Sequence, residues 1–117
     1  MIQLNGTTLS ALRAFGLKFQ VTANNIANGN TDGFKKSRAE MKDNYPAGVE
    51  AVITRIETPG YLKPAEDGSL EMRESSNVEL EEELVGLIGT SRAYLANIKA
   101  LKREEETIGS VLDLIAR

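Results

Sequence analysis

The strongest constraint on this chain is a seven-residue apolar rhythm that fills its last forty residues. Stepping alternately by four and three gives Leu80, Leu84, Leu87, Ser91, Tyr94, Ile98, Leu101, Glu105, Ile108, Leu112 and Ile115, and no proline interrupts the run. Nine of these eleven positions are apolar, which predicts a helix with a coiled-coil seam rather than an ordinary globular face. Such a helix is about 55 Å long at ~1.5 Å per residue. A chain of 117 residues has no compact core to surround that rod, so the rod needs a long partner.

The other end supplies one. Leu9, Leu12, Gly16, Phe19, Ala23 and Ile26 keep the same three–four alternation. The expected fold is mainly α, with long N- and C-terminal helices pairing antiparallel as a coiled coil around a small irregular or β-hairpin connector. One elongated domain is expected: residues 1–34 as heptad helix and Asn/Gly-rich turn, 35–75 as connector, and 76–117 as the long helix. A monomeric two- or three-helix bundle is also served by heptads.

A second stripe favours assembly. Two positions on from the main seam lie Gly86, Gly89, Ala93, Ala96 and Ala100. Two positions are about 200° of rotation, so this small-residue stripe lies nearly opposite the bulky one. Alanine is a good helix former, but glycine in a helix interior costs ~1 kcal/mol. Close approach of a neighbouring backbone would compensate Gly86 and Gly89.

Composition narrows the function. The net charge of −3 gives no general attraction to nucleic acid, and no apolar run approaches the length of a membrane span. Met1-Ile2-Gln3-Leu4-Asn5-Gly6 has neither a basic segment nor an apolar one of the secretory kind. There is no histidine and no cysteine, which removes the commonest general base, the commonest metal ligand and the strongest side-chain nucleophile. Glu81-Glu82-Glu83 and Glu104-Glu105-Glu106 point about 100° apart residue by residue, so they read as solvated helix faces rather than metal sites. The glycines form no phosphate-binding loop. No enzyme, cofactor or metal site is expected.

The first helix is expected to start near Thr7–Thr8, either of which can cap it, and to stop in the run Asn24 to Gly33. Asn24 and Asn25 come too early to be only a stop signal, and their amides suit bonds across to a neighbouring helix or loop. Phe34 is a candidate anchor beyond the turn. Arg38–Asn44 suits either helix or extended chain, while the alternation from Val49 to Ile56 predicts a strand. Thr58-Pro59-Gly60 and Asp67-Gly68 are turn signals, the second preceding a strand-like Ser69–Met72; together these suggest one small hairpin. Ser76 and Glu79 fit a capping box that starts the long helix.

Two stretches also resemble a known family. Ala23-Asn24-Asn25-Ile26-Ala27-Asn28, followed by Asn30-Thr31 and Gly33-Phe34-Lys35, resembles the N-terminal signature of bacterial flagellar rod and hook proteins. Asn77-Val78-Glu79-Leu80, Glu82-Glu83-Leu84-Val85, Arg92-Ala93-Tyr94 and Ala96-Asn97 resemble their C-terminal signature, although Leu95 stands where an acidic residue is common. The short middle is most similar to proximal-rod members of the C type. The resemblance implies a structural subunit of the basal-body rod that polymerises through its terminal helices into an axial tube. It also implies partners among copies of itself and other rod subunits. Passage through the flagellar type III export apparatus without a cleaved signal peptide, and a periplasmic location in the basal body, are implied too.

On this reading Leu9, Leu12, Phe19 and Ile26 pack with Leu84, Leu87, Tyr94, Ile98 and Leu101, within a subunit or between neighbours. Gly86, Gly89, Ala93 and Ala96 admit the next subunit. The expected family-motif positions are Asn24, Asn25, Asn28, Asn30, Thr31, Gly33, Phe34, Asn77, Arg92 and Asn97. The competing reading is a soluble coiled-coil adaptor or regulator associated with flagellar export.

Overall fold

Two helices take the ends of the chain and four short strands its middle. The computed structural model describes residues 2–116. Helix α1 spans Ile2–Ala27, strands β1 and β2 span Ser37–Asp43 and Val49–Arg55, β3 and β4 span Leu62–Pro64 and Met72–Glu74, and α2 spans Leu80–Ala116. The helices run antiparallel, as three cross-contacts show. Asn25 Nδ2 lies 3.3 Å from Glu83 Oε1, Gly16 faces Tyr94, and Thr8 Oγ1 donates to Glu104 Oε1 at 3.0 Å. The molecule is a blade of 81 × 24 × 16 Å.

Helix α1 begins at Ile2, before the start expected at Thr7–Thr8. Thr8 is not a cap but a buried seam residue bonded to Glu104. The long face of α2 lets packing override the weak helix propensity of Gly6, Thr7 and Thr8. Helix α2 starts later than its capping box suggested. Ser76 Oγ accepts from Val78 N–H at 3.2 Å, and the first turn of α2 opens with Glu83 N–H donating to Glu79 C=O at 3.1 Å. Asn77 is held outside the helix by the bonds it makes to the connector, described below.

The connector is two hairpins rather than one. Strands β1 and β2 pair antiparallel, Ser37 opposite Arg55 through Asp43 opposite Val49, and pack along α1 rather than on α2. Arg38–Asp43 is therefore strand, and its partner falls where the alternation after Val49 placed it. Strands β3 and β4 pair Leu62 with Glu74 and Pro64 with Met72. The second strand starts only at Met72 because Ser69 is still in the turn. Ser69 N–H donates to Asp67 Oδ1 at 3.0 Å, and Gly68 takes φ 79°.

The core is thin. Among the described residues the buried apolar side chains are Ala14, Ala39 and Ala65, and the buried polar ones are Thr8, Thr22, Asn25, Ser75, Ser76 and Thr90. Between the helices the buried layer is mostly polar and small, and larger apolar side chains stay half or wholly exposed.

Candidate assembly surfaces

Where α2 meets α1, two rows at heptad spacing face inward. One is Leu87, Tyr94, Leu101 and Ile108; the other is Glu83, Thr90, Asn97 and Glu104. The first row shares its phase with the sequence-level seam. The second is polar, and its members find partners within the chain. Thr90, 3% exposed, donates its hydroxyl to Gly86 C=O at 2.9 Å, and Asn97 Nδ2 donates to Ala93 C=O at 2.8 Å. Glu83 accepts from Asn25, and Glu104 from Thr8. Periodicity of apolar residues alone did not reveal this row, but the spacing of Glu83, Thr90, Asn97 and Glu104 by sevens is a readable signal.

A further row of large apolar side chains points outward. Leu84, Ile88, Leu95 and Ile98 are 45, 56, 57 and 41% exposed. They form a stripe about 100° around α2 from its contact with α1, taking ~100° per residue. Phe19 of α1, 42% exposed, borders the same surface. Gly16, Phe19, Ser91, Tyr94 and Leu95 line a groove of about 520 Å³ there. Single exposed apolar side chains are ordinary on a protein surface, whereas these share one face of α2.

The small-residue stripe lies on the other flank of α2. Gly86, Gly89 and Ala96 are exposed and Ala93 half-buried, and a Cβ built at Gly86 or Gly89 meets nothing within 4 Å. No contact among the described residues requires glycine at either position. Gly86 also borders a second groove, about 510 Å³, between α2 and the β1–β2 hairpin, with Lys18, Lys36 and Met41 on its walls. Leu9 is exposed, while Leu12 and Ile26 are half-buried in α1.

Two asparagines hold these surfaces in place. Asn25, 1% exposed, behaves as an extra strand residue for β1: its Nδ2 donates to Ser37 C=O at 2.8 Å and its Oδ1 accepts from Ser37 N–H at 3.1 Å. Asn77 ties three segments together. Its Nδ2 donates to Ile56 and Thr58 C=O, both at 2.9 Å, its Oδ1 accepts from Lys36 N–H at 2.7 Å, and its own N–H donates to Phe34 C=O at 3.2 Å. A primary amide offers two donors and an acceptor, which suits a junction of several loops.

The remaining motif residues sit in the same corner or along α2. Asn28 Nδ2 donates to Asn24 C=O at 2.9 Å and its Oδ1 accepts from Thr31 Oγ1 at 3.1 Å, which closes the end of α1. Asn30 is exposed, and Phe34 is half-buried behind the turn. Gly33 takes φ 72°, the left-handed region that favours glycine, and donates its N–H to Glu74 C=O at 2.9 Å. Arg92 is exposed on α2. Glu74 pairs with Lys35 and accepts from Gly60 N–H at 2.9 Å; the Lys35 ammonium first, then that amide, hold its carboxyl below the usual carboxylate range. Lys63 pairs with Asp32 at 2.8 Å, which pushes its ammonium upward.

The arrangement offers helix faces and amide junctions, with no cluster of metal-ligating groups among the described residues. Among the described residues no helix is long and apolar enough to cross a membrane. Residues 7–35 match the family described as flagella basal body rod protein, and residues 67–114 match the C-terminal family of flagellar basal body rod FlgEFG proteins. The chain belongs to the flagellar basal-body rod protein family. The family is structural rather than enzymatic. The chain is similar to flagellar basal-body rod protein FlgG of Caulobacter vibrioides, 38% identical over 58 residues, which is 50% of this chain and 22% of that protein. It thus spans about a fifth of the length of that relative. The two matched stretches contain α1 from Thr7 with its terminal turn, β4, and nearly all of α2, which are the elements that carry both asparagine junctions and both α2 flanks.

Proposed function

We propose that this rod-family chain is a structural subunit of the flagellar basal-body rod, packing laterally through α2 into the axial tube. The observation that carries the reading is that α2 turns a row of large apolar side chains, Leu84, Ile88, Leu95 and Ile98, outward and leaves its opposite flank to glycine and alanine. The two flanks are unlike, so a bulky stripe on one copy meets a small flank on the next. A heterologous contact of that kind propagates into rings or helices rather than closing on a pair. The groove beside Gly86 gives the incoming stripe a recess. The short connector favours a proximal position of the C type. Export through the type III channel, other rod proteins as neighbours, and a periplasmic site without a cleaved signal are parts of the same proposal.

The test is replacement of the chain in cells by Leu84→Asp, with basal bodies isolated and imaged. Leu84 is 45% exposed, so the isolated variant is expected to keep its helicity while rods fail to complete. Basal bodies of normal length containing Leu84→Asp would overturn the lateral-packing reading.

A further inference from the structure

The outward stripe of α2 has a property that lateral rod packing does not use: it is complementary to itself in reverse. Placed antiparallel about Ser91, Leu84 faces Ile98 of a second copy and Ile88 comes beside Tyr94 and Leu95. Ile88 of the second copy then lies over the groove of Phe19, Tyr94 and Leu95, about 520 Å³ in volume. Charge follows the same pattern. Glu81 sits at one end of the stripe and Lys102 at the other, both exposed, so reversal brings each onto the other twice. An in-register parallel pair instead sets Glu81 on Glu81 and Lys102 on Lys102. Arg92 comes near its own copy in the antiparallel pair, but it lies about 80° off the stripe centre, on the solvated rim.

The geometry points to a two-fold antiparallel dimer of this chain through the outer stripe of α2, formed before any rod exists. The occupant of the stripe in the unassembled state is therefore a second copy. The β1–β2 hairpin lies against α1 and leaves this side of α2 open. The dimer covers the stripe that lateral packing would use and must open before a subunit is added. This inference stands on self-complementarity and does not depend on the rod reading.

The chain has no cysteine, so single cysteines report on the dimer cleanly. Ser91→Cys, Leu84→Cys and Ile98→Cys are made separately in the full chain, checked for helicity, and oxidised at a concentration where sedimentation velocity shows dimer. The expected result is efficient cross-linking of Ser91→Cys alone, little of Leu84→Cys or Ile98→Cys alone, and strong cross-linking when those two variants are mixed. A charge reversal gives a readout that does not rely on cysteine. Lys102→Glu is expected to weaken dimerisation a few-fold to about tenfold, and adding Glu81→Lys in the same chain to restore it. Equal cross-linking of all three single variants means a parallel pair and overturns the proposal. So does a monomer at every concentration, or a Lys102→Glu loss that Glu81→Lys does not repair. Failure of rod assembly in cells leaves these readouts unmoved.

Discussion

Replacing Asn25 with alanine removes more than its small volume suggests. Asn25 is 1% exposed and bonds three groups: Ser37 C=O at 2.8 Å, Ser37 N–H at 3.1 Å and Glu83 Oε1 at 3.3 Å. Ser37 opens β1, so its peptide groups face the asparagine at the point where the hairpin leaves the helical corner. Alanine leaves both without that partner. An unsatisfied buried peptide group costs about 1–3 kcal/mol, and water reaches this half-buried site in part, so the loss comes to roughly 2–4 kcal/mol. The longer bond to Glu83 adds little, because that carboxylate also faces solvent. Asn24, one residue earlier and exposed, is the control: alanine there is expected within about 0.5 kcal/mol of the parent.

The assay is amide hydrogen exchange of β1 and β2, with urea unfolding followed by circular dichroism. The hairpin is docked on α1 by Asn25 at one end and at the other by Ser10 Oγ, which accepts from Val49 N–H at 3.1 Å. Asn25→Ala should lower protection across Ser37–Arg55 by roughly thirty- to several-hundredfold, the equivalent of 2–4 kcal/mol, with α2 less affected. Asn25→Asp should do worse, since a carboxylate oxygen would face Ser37 C=O and the Glu83 carboxylate. Matching exchange in Asn25→Ala and Asn24→Ala would refute the claim that this amide serves as the missing strand partner.

Gly60→Ala should destabilise the β3–β4 end, because a Cβ there would lie 2.1 Å from Ser75 C=O, a backbone atom that cannot step aside; thermal unfolding is expected to show a loss of at least about 2 kcal/mol. Glu74 has a lowered folded-state pKa, so its contribution is complete above the ordinary glutamate value of about 4.3 and is lost as pH falls through the depressed value. Acid titration should therefore loosen the Gly60 and β3–β4 amides, and Glu74→Gln should abolish that pH dependence in exchange measurements. Glu104 has one carboxylate oxygen, Oε2, buried without a hydrogen-bond partner among the described residues, while Oε1 accepts from Thr8. Glu104→Gln keeps that acceptor and removes the charge, and urea midpoints should rise by the equivalent of about 1 kcal/mol.

The seven-residue rhythm made α2 and its pairing with α1 legible, because helix periodicity depends only on residue order. It did not say which neighbouring row turns inward. Leu84 and Ile98 read as core by composition yet face solvent, while Thr90, Asn97 and Glu104 read as surface yet line the contact with α1. Burial rules infer the inside of a chain from its apolar residues, and that inference fails where large apolar side chains stay exposed, as these do. Asn25 was legible as a cross-bonding amide because it came before the helix stop, but its partner Ser37 was not. Nor was β1 legible, since Ser37–Asp43 carries neither clean alternation nor a helical stripe and becomes a strand only through pairing with β2. The end of α1 at Ala27 followed from the Asn/Gly run. The late start of α2 did not, because it depends on Asn77 being held by Lys36, Ile56 and Thr58, all distant in sequence.

The inverted packing of α2 bears on how the subunit divides its stability. The contact with α1 joins the half-buried row of Leu87, Leu101 and Ile108 to a polar row from which Glu83 and Glu104 bond across to Asn25 and Thr8, and each such bond nets only about 0.5–1.5 kcal/mol after exchange with water. The large apolar side chains of the outer stripe add to this only when something covers them, at about 25 cal/mol per Å². On the proposed packing, the stability of the chain rises when a neighbour covers that stripe. The reverse design, with Leu84 and Ile98 inside and the polar row outside, would give a sturdier monomer with no apolar surface left for assembly. Thr90→Leu tests the distinction. At 3% exposure its site has no room for the larger side chain, so overpacking against α1 should cost the monomer about 1–3 kcal/mol. A gain in monomer stability instead would show that the polar row is not fitted to this helix pair, and the assignment of the inward face would fail with it.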